Sequence, residues 1–262
     1  MMKEHCVRGV RFLTSGKLDV KHGFAARLGG VSQGIYASLN LRVHCDDAPE
    51  NIRENYRRLF SALDMPESAV FSRQVHGKCV RAATQTDVHT LFTDVPYEAD
   101  GLITSTPGLP LIIFTADCVP ILLHDGVHRA VGAVHAGWRG TALDIAGEAV
   151  RRMSAEYGCV PADIHAAIGP CIGPCCFETG PEVPAAMTET LGAAAEPMIA
   201  RHGGKFTVDL KGINRLLLER AGLLPENIDV SGICTMCSHD LFWSHRYTKG
   251  RRGTQGSVIM LS

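Results

Sequence analysis

The chain has 262 residues, 45% apolar and 20% charged, enough to bury a large core as one big domain or two small ones. Its formal net charge of −1 supplies no whole-molecule field toward nucleic acid or an anionic membrane, and neither partner is expected. The N-terminal MMKEHCVRGVRFL lacks an apolar signal core and no run is long enough to span a bilayer, so a cytoplasmic location is expected. Ten cysteines in a reducing compartment read as thiols, metal ligands or catalytic groups and not as a disulfide frame.

Residues 9–41 read as short strands around a Gly-rich turn, Leu28-Gly29-Gly30-Val31, whose spacing fits neither common phosphate loop and is taken as backbone turning. A helix follows, with Asp47 as cap and Glu50 three residues on. Ile52, Tyr56, Leu59, Phe60 and Leu63 fall on its apolar face until Met65-Pro66 ends it. Residues 70–77 read as a strand ending at His76, with Gly77 allowing the backbone to turn. Residues 84–99 form a polar loop that leads through Ala99-Asp100-Gly101 into a strand at 102–104.

The stretch 110–140, PLIIFTADCVPILLHDGVHRAVGAVHAGWRG, is the centre of the sequence. Two buried strand runs, 111–115 continuing into 121–124 across Pro120 and then 130–134, carry a reactive side chain at their exits: Cys118 on the first and His135 on the second. His76, Cys118 and His135 share one local pattern, a strand exit with a Gly or Pro within two residues. Three such ligands leave a tetrahedral position free, as a catalytic zinc site does, and the same donors also suit copper. Asp117, beside Cys118, is a candidate proton carrier or an orienter of the site, the second being the preferred role.

A second helix is expected over 141–157, ended by Gly158. Its first N–H groups and Arg139 suit an anion; alternatively Arg139 pairs with Asp117 and holds the loop. IGPCIGPCCFETG then carries Cys171, Cys175 and Cys176, and Cys234-Thr-Met-Cys237 follows later. A structural zinc usually takes two pairs of the Cys-x-x-Cys kind, which the first group matches imperfectly, so the spacing argues against a second site. A helix capped by Asp209 and ended by Gly222, a strand at 228–233, the segment FWSHR with Arg246, a basic loop with Lys249, Arg251 and Arg252, and a strand at 258–261 complete the chain.

HGFAARLGGVSQGIYASLNL, RQVHG, ADGLITSTPGLPLIIFTADCVPILL, AVHAGWRG, IGPCIGPCCFETG and FWSHR, in this order, resemble the YfiH-like laccase-domain family, also called the polyphenol oxidase or peptidoglycan editing factor family. The resemblance implies an α/β fold, a single layered α/β/β/α domain over 1–262 with mixed sheets, and a metal site of His76, Cys118 and His135. It implies a purine nucleoside phosphorylase acting on adenosine, inosine and methylthioadenosine with phosphate, with adenosine deaminase side activity. Zinc is the implied cofactor, with copper the other candidate, and Asn40, His44 and Arg246 are implied to line the pocket, together with Arg139 as a candidate for phosphate. Cys45, Tyr247 and Thr254 depart from the family's usual Gly, Arg and Arg, which bears on substrate contacts.

Three other readings use the same residues. Cys118 as a thiolate nucleophile, with His76 or His135 as base, would make an amidase acting on a peptidoglycan precursor. A copper-dependent polyphenol oxidase would need a partner copper that one three-ligand site does not supply. A non-catalytic metal-binding protein would close the trio with Cys171, Cys175 or Cys176 as a fourth ligand.

Overall fold

A computed structural model describes residues 2–262. Along the chain run β1 (Met2–Val7), β2 (Val10–Ser15), β3 (Lys21–Ala25), α1 (Pro49–Leu63), β4 (Val80–Ala82), β5 (Gly101–Thr104), β6 (Leu111–Thr115) and β7 (Val119–Asp125). There follow β8 (Ala130–Ala136), α2 (Trp138–Ala142), α3 (Ile145–Tyr157), β9 (Ile164–Ile168), β10 (Glu178–Thr179) and α4 (Glu182–Leu191). The last third holds β11 (Ile199–His202), β12 (Lys205–Val208), α5 (Leu210–Arg220), β13 (Ile228–Val230), α6 (His245–Thr248) and β14 (Gln255–Met260).

Two large sheets result. One is antiparallel, in the order β1-β2-β3-β14-β6; the other is mixed, in the order β13-β9-β7-β8-β5-β4, with parallel pairs at its two ends. A small sheet, β10-β12-β11, stands apart from both. Side chains alternate across a strand, and that alternation sorts the core into layers. In β6, Leu111 and Ile113 face the mixed sheet while Ile112 faces α1; in β14, Ile259 joins the first group and Val258 and Met260 the second. In β7 and β8, Leu122, Val131 and Ala133 meet the antiparallel sheet, whereas Ile121, Leu123 and Val134 pack under α3, α4 and α5. The order helix, sheet, sheet, helix is the α/β/β/α arrangement expected from the sequence. Each fully buried Leu, Ile or Val contributes about 1.5–3 kcal/mol.

Three local features differ from expectation. The chain over 70–77 is extended but joins the sheets only through single bridges at Val70 and Arg73. His76 itself, not Gly77, takes the left-handed turn, at φ 61°. Helix α1 starts with Ala48 as cap and Pro49 in its first turn, a good position because proline lacks the N–H that would be unpaired there. Asp47 instead accepts from the side chains of Asn40 and Asn51. The helix expected over 141–157 is two helices: Gly137 caps α2, and Asp144, at φ 58°, breaks the run and caps α3 by accepting from Gly147 N–H.

The Gly29-Gly30 turn is structural, as expected. A Cβ on Gly29 would lie 2.3 Å from the Gly9 carbonyl oxygen, so only glycine permits that approach. Asp209 caps α5 through Gly212 N–H, also as expected.

Candidate metal centre and adjoining cavity

The two sheets part company at Cys118. Strand β6 belongs to one sheet and β7 to the other, and the crossing is made by Ala116-Asp117-Cys118, with Asp117 at φ 82°. On β8, His135 shares the face of Val131 and Ala133 and therefore points between the sheets at the point where they separate. His76 arrives on the 70–77 segment. Gln74 fixes that segment by donating to Phe114 O at 2.8 Å and accepting from Phe114 N at 2.7 Å, which imitates a strand pairing.

The three sequence-predicted ligands thus meet. Their ligand atoms all lie within 4.8 Å of one another. Cys118 Sγ stands 3.8 Å from His76 Nε2, close to the ~3.6 Å expected of sulfur and nitrogen on one tetrahedral zinc. The His76 and His135 rings are perpendicular, with centroids 4.8 Å apart. Gly137 makes this possible, since a Cβ there would lie 2.7 Å from His76 Cδ2 and 3.3 Å from Cys118 Sγ. The trio is graded in exposure, with His135 buried, Cys118 half-buried and His76 exposed, so its open side faces outward.

The residue that organises the trio is Asp100, which the sequence reading passed over as part of a strand entry. Fully buried, it accepts from the backbone N–H groups of Val75, His76 and Gly77 at 3.2, 2.9 and 2.7 Å, and from His135 Nδ1 at 2.8 Å. Burial alone would push its pKa up, but His135 and those N–H groups outweigh burial and hold it below the usual carboxylate range. An ionised carboxylate only accepts, so the His135 proton stays on Nδ1 and Nε2 is turned to the site. The same carboxylate fixes the left-handed backbone at His76. One side chain therefore orients two ligands.

Cys118 and His135 are coupled electrostatically. Burial works against the thiolate, yet the His135 charge and hydrogen bonds from His135 and His76 bring the Cys118 thiol down to about 6. Burial likewise works against protonated His135, but Cys118 and Asp100 raise it to about 9. The donor set, one cysteine sulfur and two imidazoles turned toward it, suits zinc or copper, which would bind with loss of the protons on the sulfur and on the ligating ring nitrogens.

Asp117 does not face the trio with its carboxylate. Oδ1 accepts from Thr235 Oγ1 at 2.6 Å, and Oδ2 accepts from Ser244 Oγ at 3.1 Å and Arg246 N–H at 2.7 Å. These bonds make it a clamp on the Cys118 turn. Arg246 turns its guanidinium to Glu178 O at 2.8 Å. Arg139 is exposed and lies over the Trp138 ring at 4.2 Å, and Asp117 gives its carboxylate to other partners. Asn40 is fully buried and occupied: it donates to Asp47 Oδ2 and accepts from Arg42 N–H, so it braces the loop below the pocket.

The trio lines a cavity of about 250 Å³ together with Ser72, Gln74, Phe114, Thr115, Arg252 and Thr254. Ser72, Phe114 and Thr254 also line a neighbouring cavity of about 600 Å³, whose other walls include Arg42, His44, Phe71, Phe92 and Asp94. His44 thus lines the neighbouring cavity, and Arg252, from the basic loop, lines the one at the trio. The Nε of Arg252 and the hydroxyls of Thr115 and Thr254 are buried without a hydrogen-bond partner. All three residues line the cavity although these particular atoms are covered, and the Arg252 guanidinium also donates from Nη1 to Gly253 O at 3.0 Å and meets His245 Nδ1 at 3.4 Å through Nη2.

The sequence profile of the family described as multi-copper polyphenol oxidoreductase laccase matches residues 21–262. The purine nucleoside phosphorylase YlmD of Geobacillus stearothermophilus is 39% identical over 243 residues, covering 90% of this chain and 88% of that protein. The purine nucleoside phosphorylase YfiH of Escherichia coli is 37% identical over 240 residues, covering 90% and 92%. Among solved structures, the hypothetical protein YfiH of Bacillus licheniformis superposes with a TM-score of 0.92 at 33% identity, covering 97% of each chain. No helix among the described residues is long and apolar enough to cross a membrane. With the profile spanning nearly the whole sequence and relatives matching end to end, this chain belongs to the laccase-domain family that includes YfiH and YlmD.

Proposed function

We propose that the protein is a zinc-dependent purine nucleoside phosphorylase. It would take adenosine, inosine and methylthioadenosine to the free base and the sugar 1-phosphate, with deamination of adenosine as a side reaction. The observation that carries the reading is the pair of neighbouring cavities. A three-ligand group with one open side borders a chamber lined by Arg252, Thr115 and Thr254, and Ser72, Phe114 and Thr254 are shared with an adjacent aromatic-walled cavity. The purine names of the curated relatives support the same substrate class.

His76, Cys118 and His135 would hold the ion, which when bound supplies a Lewis acid beside the reacting sugar. The purine lies among Phe71, Phe92 and Phe114, where aromatic faces suit a planar base. Arg252, on the wall of the trio's cavity, receives phosphate through its guanidinium, with Thr115 and Thr254 on the same wall. A phosphate oxygen attacks the anomeric carbon, the bond from that carbon to the purine nitrogen breaks, and the departing base takes up a proton, which we assign to His44. Asp100 and Asp117 act at a distance from the substrate, one by fixing the His ligands and the other by fixing the Cys118 turn.

The test is adenine release from adenosine with and without phosphate, in wild type and in Arg252→Met. The reading expects phosphate-dependent release with ribose 1-phosphate formed in equal amount, and a raised KM for phosphate in the variant. A protein that leaves purine nucleosides intact, but whose Cys118 is alkylated at the rate of a free thiolate with no metal bound, would instead be a cysteine nucleophile.

A further inference from the structure

Cys175, Cys176, Cys234 and Cys237 come from two loops that are far apart in sequence. The first loop joins β9 to β10 and the second follows β13. Cys176 Sγ and Cys175 Sγ lie 3.4 and 3.6 Å from Cys237 Sγ, and all four sulfurs lie within 4.8 Å of one another. Four sulfurs on one tetrahedral ion, at metal–sulfur bonds of about 2.3 Å, stand about 3.8 Å apart. A disulfide would need about 2.0 Å, and all four cysteines are free.

The surrounding backbone is arranged for thiolates. N–H groups of Gly173, Met236 and Cys237 converge on Cys234 Sγ, with the Gly173 contact at 3.2 Å. The chain turns tightly through Gly173, whose carbonyl accepts from both Cys176 and Phe177 N–H. A Cβ on Gly173 would stand 3.3 Å from both Cys175 Sγ and Cys234 Cβ, so glycine lets the two loops close on each other. Cys171 is excluded from the group: it is buried in the core and turns its thiol to Ile172 O.

We propose that these four cysteines form a second, closed metal site that holds one structural zinc ion. Four protein sulfurs complete the tetrahedral shell and leave no position for substrate. In place of two Cys-x-x-Cys pairs, the fold sets an adjacent Cys175-Cys176 pair against one Cys-x-x-Cys.

The site has work to do where it sits. Thr235, inside the Cys234-x-x-Cys237 turn, donates to Asp117, and Arg246, whose N–H also donates to Asp117, reaches Glu178 O two residues past Cys176. The zinc ties together the two loops that clamp the turn carrying Cys118. This inference stands independently of the nucleoside phosphorylase reading.

The test uses the full chain carrying His76→Ala and Cys118→Ala, which empties the trio, purified under reducing conditions with zinc present. Metal analysis is expected to find about one zinc per chain, and X-ray absorption is expected to find a shell of four sulfurs at about 2.3 Å. Adding Cys234→Ser and Cys237→Ser should bring zinc close to zero. A folded trio-deficient protein without zinc would overturn the site, as would zinc held by nitrogen or oxygen, or a Cys176–Cys237 disulfide in the fresh protein. If the serine variants fail to fold, the absorption measurement on the trio-deficient protein decides alone.

Discussion

The molecule brings sulfur ligands together in two places, and it does so in opposite ways. The trio is built at the parting of two sheets, from a strand, a crossing and one extended segment, and it is braced by a single buried carboxylate, Asp100. The four-cysteine group is built from two loops that meet through a bridge between Cys171 and Cys234, the Thr235 N–H bond to Cys171 O and the Gly173 N–H bond to Cys234 Sγ. The trio has three ligands and opens on a cavity, while the second group has four and closes on itself. An open coordination position is what chemistry needs, and a complete shell is what a structural clasp needs. The scaffold differs accordingly: rigid strands fix the geometry of the open trio, and at the proposed second site an ion would fix the two loops.

The largest expected effect comes from Cys118→Ala. Phosphorolysis should fall by roughly three orders of magnitude or more, with trio metal lost and four-cysteine zinc retained, as read by turnover and metal analysis together. Retention of both metals would erase the distinction between the two sites. Asp100→Asn should rank next. It removes the charge and one of two acceptor oxygens, so an NH2 must face either His76 N–H and His135 Nδ1 or Val75 and Gly77 N–H, and metal affinity should fall about 10–100-fold and stability by about 1–3 kcal/mol. Competition with a chelator and urea unfolding measure the two losses, and unchanged metal affinity would deny Asp100 its orienting role.

Arg252→Met should raise the KM for phosphate about 10-fold with trio metal intact, while an equal loss in the KM for nucleoside would move the phosphate elsewhere. Gly137→Ala gives the smallest change in stability, within about 1 kcal/mol, because the exposed His76 ring can swing away from the new methyl. That movement removes a ligand, so the variant should hold trio metal less tightly while its melting curve barely moves. Finally, a chelator should strip the open trio before the closed four-cysteine site, with activity lost before any change in hydrogen exchange over the 171–177 and 231–238 loops.

The trio was legible because each ligand follows a local pattern of apolar run, reactive side chain and turn, and such patterns are written in consecutive residues. The layered fold was legible only through the family resemblance that the six motifs carry, not through strand alternation. Asp100 was not, because its partners lie 23 to 35 residues away and nothing beside it in the chain marks a carboxylate that will gather three N–H groups. Arg252 was hidden in a basic loop of the kind that is usually solvated, and only the fold turns it onto the cavity. The break at Asp144 escaped because the apolar spacing of Ala142, Ile145 and Ala149 continues across it, and periodicity does not register one left-handed residue. The four-cysteine group shows the same limit from the other side, since spacing describes ligands on one loop and this cage is shared between two.

The most direct test of the functional account is the product balance from adenosine with the wild-type protein in the presence and absence of phosphate. The account predicts adenine and ribose 1-phosphate in equal amounts with phosphate, little adenine without it, and neither product from Cys118→Ala. Adenine accompanied by free ribose whether or not phosphate is present, or no cleavage of any purine nucleoside by the zinc-loaded protein, would contradict it.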